Sequence, residues 1–342
     1  AIDGLVGFWP MDEGTGAIVD ECSGASMGGE GRVLGTVAWE DTARGHALAF
    51  DGKTTVVKIP SSPDWDLGEG LLTISLWVKQ NPGAGGMLLD HYFSGTPGVW
   101  GIVNEGGPTF ALYDDTKKPH KLKFPGFRAG QWHHLTVVWK RAKDGWLKSY
   151  LDGKPVSELP VVPCAAKYPF DLFVGSRQGV DQFFAGNLRD LAIFNRVLTD
   201  DEVGTLYLDG MSLDKPVVIS SLKTDKLLYG PKDTGTATVR VKNLTDKPQT
   251  VQLTLSITSE LNRAREIVRQ ALELPAKATK TVEVPLAFVG EDYGCALEAR
   301  ITQQNMPLVT KREYFSVSDN VFKVGIGSDW GGGLHTANGQ YV

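Results

Sequence analysis

Three side chains on three separate strand-like stretches form the strongest chemical pattern in this sequence. In "LTISLWVK", Leu72, Ile74, Leu76 and Val78 share one face of an extended strand, and Thr73, Ser75, Trp77 and Lys79 share the other. The same alternation in "HHLTVVWK" turns Leu135 and Val137 inward and His134 and Thr136 outward. In "LKSYLDG" it turns Leu151 inward and Tyr150 outward. Trp77, His134 and Tyr150 are then one outward set. It offers aromatic faces for C–H stacking and polar tips for hydroxyls, which is the chemistry that holds a sugar ring. The stretch "LLDHYFSGTPGVW" adds Asp90, His91, Tyr92 and Trp100 at a rim. The predicted ligand-binding residues are therefore Trp77, Trp100, His134, Tyr150, Asp90 and Tyr92, and the predicted partner is a polysaccharide or other glycan.

Hydrolysis of a glycan needs a different pattern, two carboxylates aimed into one cleft, because one protonates the leaving oxygen while the other attacks or activates water. The stretches "LTISLWVK", "WGIVN", "HHLTVVWK" and "LKSYLDG" carry no Glu-x-Asp or Glu-x-x-x-Glu spacing, and Glu105 stands alone before Gly106 and Gly107. His133 and His134 are adjacent on a strand, so they face opposite ways. No Ser/His/Asp set stands out. The chain reads as non-catalytic.

The elements that must position these residues are almost all strands. The chain has 342 residues with 40 Gly and 18 Pro, a hydrophobic fraction of 42% and little helical periodicity, which predicts many strands and tight turns. Eleven strand-like runs separated by turn residues fill residues 1–209 and predict an antiparallel jelly roll. Its two ends, "LVGFW" and "LRDLAIFN", are both strand-like and are expected to pair. The closing run continues into Thr199-Asp200-Asp201-Glu202, the form of a capping box at a helix start. A short link, 210–215, leads to seven alternating runs over 216–318, which predict an immunoglobulin-like β-sandwich. The expected class is all-β, a jelly roll followed by an immunoglobulin-like β-sandwich.

Four stretches carry a family resemblance: "VGFWPMDEGTGAIVDECSG", "GHALAFDGKTTVVKIP", "LTISLWVK" with "QWHHLTVVWK…SYLDGKPV", and "GNLRDLAIFNRVLTDDEV". In that order, over residues 4–207, they resemble the laminin-G-like, concanavalin A-like jelly rolls of bacterial secreted proteins. The resemblance implies two curved antiparallel sheets and a mostly binding family, with glycans the commonest ligands. It also implies a structural calcium ion near the Phe-Asp-Gly turn and the closing strand, for which Asp51, Asp12 and Asp190 are the metal candidates. Calcium wants several oxygens, yet Arg189 stands where many relatives place the first carboxylate. Its guanidinium pairing with Asp51 or Asp12 is the alternative to the ion. By the same resemblance the function is that of a carbohydrate-binding-type module plus spacer, secreted or at the cell surface. The alternatives are a purely structural or adhesive spacer and a jelly-roll glycoside hydrolase with unrecognised acids.

Net charge is −5 with no basic stripe, which argues against nucleic acid, and no apolar run approaches the length of a membrane span. Cys22, Cys164 and Cys295 show no CxxC spacing. Cys22 and Cys164 can pair if the fold joins them; the alternative is small buried thiols. The stretch 319–342 fits neither domain. Val321, Phe322, Val324 and Ile326 read as a strand buried on both faces, followed by a glycine-rich turn with Asp329 and Trp330. It is expected to open a covalently continuous catalytic domain, a glycoside hydrolase barrel by analogy.

Overall fold

The computed structural model describes residues 3–24, 29–43, 45–61, 71–91, 98–104, 106–140, 144–160, 170–210, 215–259, 264–288, 290, 292–304 and 306–319. Tyr92, Glu105, Cys164 and the stretch 320–342, with Asp329 and Trp330, lie outside the described residues. The chain divides into two units between Ser212 and Leu213.

The first unit begins with β1 (Leu5–Trp9), β2 (Ile18–Val19), β3 (Gly31–Leu34), β4 (Ala38–Thr42), β5 (Gly45–Asp51), β6 (Val56–Ile59), β7 (Leu71–Gln80) and β8 (Gly86–His91). It continues with β9 (Trp100–Asn104), β10 (Pro108–Tyr113), β11 (Pro119–Lys123), β12 (Trp132–Lys140), β13 (Trp146–Leu151), β14 (Lys154–Pro160), β15 (Leu172–Val174), β16 (Ala185–Phe194) and the helix α1 (Asp200–Asp209). Two sheets result. The first runs β14-β13-β12-β7-β16-β5-β4 with β1 also on β16; the second runs β11-β10-β9-β8-β15-β6-β3-β2. The inward faces predicted by alternation share one core: Leu72, Ile74, Leu76 and Val78 of the first sheet pack with residues such as Val57, Ile102, Phe110 and Val174 of the second. Each such side chain contributes about 1.5–3 kcal/mol by leaving water.

The strand β16 ties the unit together. Its first part, Ala185 to Leu188, pairs with β5, and its last part, Leu191 to Phe194, pairs with β1. The switch occurs at a bulge where Asp190 takes φ 54° and its N–H donates to the Pro10 carbonyl at 2.9 Å. The two ends of the unit therefore pair as expected. Gly186 sits at φ 148°, where a Cβ would lie 2.3 Å from the Lys79 carbonyl, so only glycine lets β16 close on β7 here. After β16 the capping box forms. The Thr199 hydroxyl accepts from the Glu202 N–H at 3.3 Å, and the Thr199 N–H donates to the Glu202 carboxylate at 2.8 Å.

The second unit contains β17 (Val217–Thr224), β18 (Leu228–Tyr229), β19 (Thr234–Asn243), β20 (Gln249–Thr258), β21 (Ala264–Leu274), β22 (Thr279–Ala287), β23 (Asp292–Gln303) and β24 (Met306–Val317). A three-stranded sheet, β17-β19-β22, and a five-stranded sheet, β18-β24-β23-β20-β21, share a core that includes Val239, Val241, Leu253, Leu255 and Leu297. Period-two patterning with one wet face produces it.

Candidate functional site

The outward set of the first sheet is brought together as the alternation requires, but it is covered. His134 lies opposite Trp77, and Thr136 opposite Tyr150, in the β12 pairings. The connection Asn195–Thr199 and the helix α1 then lie over this face. Tyr207 of α1 stacks on Trp77 with ring centroids 5.6 Å apart, and the Tyr150 hydroxyl donates to Asp200 at 2.7 Å. Thr73 donates to the Arg196 carbonyl at 2.7 Å. As a result His134 and Tyr150 are 2% and 1% exposed, and Trp77 is half-buried. Burial pushes the Tyr150 phenol up, and Asp200 pushes it further. The expectation of an open aromatic sugar face is corrected here: these side chains anchor the closing helix.

His134 Nε2 lies 2.7 Å from Ser75 Oγ, a serine–histidine pair. Both residues are buried under α1, so no substrate reaches them. His133, on the opposite face, bonds Asp152 through Nδ1 at 2.8 Å.

Trp100 belongs to the second sheet and does not join Trp77. It shares the inward face of β9 with Ile102, is 5% exposed, and stacks on His91 and Phe110. It is a core residue rather than a rim residue. Asp90 does point outward from β8, opposite Gly101 and Phe173, yet it is fully buried. The loop after β15 folds over it, and the Gln178 N–H donates to its Oδ2 at 2.9 Å. Burial pushes the Asp90 carboxyl up to about 7, against the pull of the Gln178 N–H and the Arg177 charge. Arg177 in turn forks onto Asp181, with Nε 2.7 Å from its Oδ1.

The metal candidates are not gathered into one cage. Asp51 pairs in register with Ala185, so it sits some five residues along β16 from Asp190, roughly 16 Å at strand rise. Its Oδ1 accepts from the N–H groups of Lys53, Thr54 and Thr55 at 2.8, 2.8 and 3.0 Å, and its Oδ2 accepts from the Thr54 hydroxyl at 2.7 Å. Those donors hold the carboxyl well below the usual range although its partial burial opposes them, and they leave a cation little to bind. Arg189 does not reach Asp51. It bonds its neighbour Asp190 through Nε at 2.9 Å and Thr42 through Nη1 at 3.2 Å. Among the described residues no group of three His, Cys, Asp or Glu side chains is placed to hold a metal ion. Asp51 and Asp190 stand too far apart along β16 to share one ion.

Open concavities among the described residues include two. A trough of about 910 Å³ on the five-stranded sheet of the second unit is lined by Thr254, Ser256, Arg269, Glu298, Arg300 and Arg312. Glu298 bonds both Arg300, at 2.7 Å, and Arg312, at 2.8 Å, and Arg269 bonds Glu266, so each of these charges is paired within the trough. A cleft of about 320 Å³ at one end of the first unit is lined by Gly52, Gly85, Gly86, Asn104, Gln182 and Phe183, among others. Sequence reasoning missed it. Its signal was the pair Gly85 and Gly86 at the start of β8, with Gly52 after β5.

Residues 51–204 match the family described as the Concanavalin A-like lectin/glucanases superfamily. The chain is also similar to the receptor-binding domain of botulinum neurotoxin mosaic serotype C/D, at 13% identity and a TM-score of 0.50, covering 89% of this chain and 72% of that one. A likeness to the botulinum neurotoxin serotype D binding domain has 11% identity and a TM-score of 0.50, covering 94% and 95%. Domain 4 of AbnA, a GH43 extracellular arabinanase from Geobacillus stearothermophilus solved in complex with arabinotriose, aligns at 20% identity and a TM-score of 0.46, covering 59% and 98%. At these identities the likeness is one of fold. The first unit is a concanavalin A-like jelly roll.

Proposed function

We propose that the first unit is a non-catalytic glycan-binding module and the second an immunoglobulin-like spacer, in a secreted carbohydrate-active protein that also carries a catalytic domain. The observation that carries the reading is the use made of the carboxylates within a match to a lectin and glucanase superfamily. A glucanase keeps two of them about 5–9.5 Å apart in an open cleft. Here Asp90 is sealed beneath a loop, Asp181 is forked by Arg177, Asp152 holds His133, and Asp51 closes a turn. Asp114 closes another turn, accepting from Thr116, Lys118 and His120. Each is committed to holding the fold.

A pure spacer is the second reading, favoured by the helix that covers the Trp77 face. Retardation of the chain in native gels cast with xylan, arabinan, galactan or β-glucan separates the two. Retardation by at least one polymer, with no reducing sugar released, is expected. No retardation by any of them would leave the spacer, and released sugar would make the chain a hydrolase.

A further inference from the structure

We propose that the cleft at the end of the first unit's sandwich binds one ring of a neutral sugar, with Phe183 as its stacking face and Asn104 as its hydroxyl partner. The inference rests on the glycan-binding reading above and gives it a place. Phe184 is fully buried in the core, so its neighbour Phe183 turns the other way, and it lines the cleft half-exposed. Gln182 beside it is exposed at φ 49° and presents a carboxamide at the rim. No charged side chain is among the described residues that line the cleft. A neutral ring suits that described lining. The volume of about 320 Å³ is at the low end for small-molecule pockets, enough for one ring rather than a chain.

The polar complement is specific. Gln80 and Asn104 belong to opposite sheets, and the alternation of β7 and β9 places them on the faces that bear Val78 and Ile102. Both are more than nine-tenths buried, and among the described residues Gln80 Oε1 and Asn104 Nδ2 have no hydrogen-bond partner. Neither amide can be flipped. The Gly107 N–H donates to Asn104 Oδ1 at 2.9 Å, and Gln80 Nε2 donates to the Ala84 carbonyl, which fixes the free ends as one acceptor and one donor. Of the two, the free Asn104 Nδ2 is the donor at the cleft, and a sugar hydroxyl oxygen is its complement. Asn104 lines the cleft directly, and Gln80 stands one hydrogen bond behind Ala84 in its wall. Glycines leave the approach open. A Cβ on Gly85 would come 3.3 Å from the Asn104 carbonyl, and one on Gly86 would strike the Gln182 carbonyl at 2.7 Å.

The test is a ¹⁵N–¹H correlation titration of the whole chain with methyl glucopyranoside, methyl xylopyranoside and methyl arabinofuranoside, each taken to about ten times a millimolar Kd. Saturable shifts in the Gly52, Gly85 and Gly86 amides and in the Asn104 side-chain amide are expected with at least one sugar. Phe183→Ala should weaken the response about tenfold, and Gln182→Ala less. Both positions are partly exposed, and the fold of each variant is checked by its own spectrum. Unmoved resonances at these four groups with all three sugars would overturn the proposal and leave a buried water as the partner of Asn104. Shifts that Phe183→Ala does not weaken would overturn it as well. Gel retardation of the same chain then says whether the glycan reading falls too or only its place.

Discussion

Asp90→Asn should change how stability depends on pH, by an amount the structure sets. In the fold, burial raises the Asp90 carboxyl to about 7; in the open chain it is an ordinary aspartate near 4. Between those values the folded chain holds a proton that the unfolded chain has released. The stabilising effect of that proton is complete below pH ~4. It declines by about 1.4 kcal/mol per pH unit as pH rises, and levels off above pH ~7. From pH 5 to pH 8, about two units of that slope are crossed, a loss of roughly 2.7 kcal/mol. Asparagine keeps an oxygen for the Gln178 N–H and does not titrate.

The assay is urea unfolding of parent and variant between pH 5 and pH 8, followed by tryptophan fluorescence, with the difference taken at each pH so that all other titrations cancel. The variant should gain about 2.5 kcal/mol on the parent across that range. Parallel profiles would refute the reasoning. They would mean that water reaches Asp90 and that the loop bearing Arg177 and Gln178 does not seal it in solution.

Trp77→Ala should cost about 2–3 kcal/mol in urea unfolding, less than a fully buried tryptophan because the ring is half-exposed, and should leave polysaccharide retardation unchanged. Lost binding at an unchanged midpoint would restore the open-face reading. Thr199→Ala removes the cap from α1 and should cost about 1 kcal/mol in thermal unfolding; an unmoved melt would show that packing alone holds the helix. Asp51→Ala strips one turn of an acceptor for three backbone N–H groups and should cost about 2 kcal/mol, whereas a chelator should leave the melting temperature in place. A fall of several degrees on chelation would reveal a bound ion that stabilises the folded state.

The central strands were legible because alternation and apolar content agree there. Every inward residue read from "LTISLWVK" is buried. Of the strands that escaped reading, β4, β11, β14, β2 and β18 lie at sheet edges, the last two with only two residues each, and β3, inside its sheet, has only four. Edge strands carry charge and proline, as in "PHKLK" and "KPVSELP", and these blunt the alternating signal. The outward direction of Trp77, His134 and Tyr150 was also legible, but alternation says which way a side chain points and not what lies on it. A signal of the cover was present in "HHLTVVWK". Val137 and Val138 are adjacent, so one valine must face outward, and an apolar residue on the outer face marks a sheet buried on both sides. Val138 is in fact fully buried. Trp100 shares its parity with Ile102, and that alone placed it in the core.

The same reasoning says where a ligand site can be in this unit. The outer face of the first sheet holds α1 through Trp77, Tyr150 and Thr73, and the outer face of the second holds the loop after β15 through Asp90. Residues that look functional on a strand are occupied in fixing chain that follows later in the sequence. Among the described residues, the end of the sandwich is open where the turn before β8 and the end of β9 meet the run into β16. Turns there can change length and side chains without moving either sheet, because the core that sets the sheets lies between them. In the proposed site, specificity would be set by these turns, and glycine would serve it by keeping the wall thin enough for a ligand to reach Asn104.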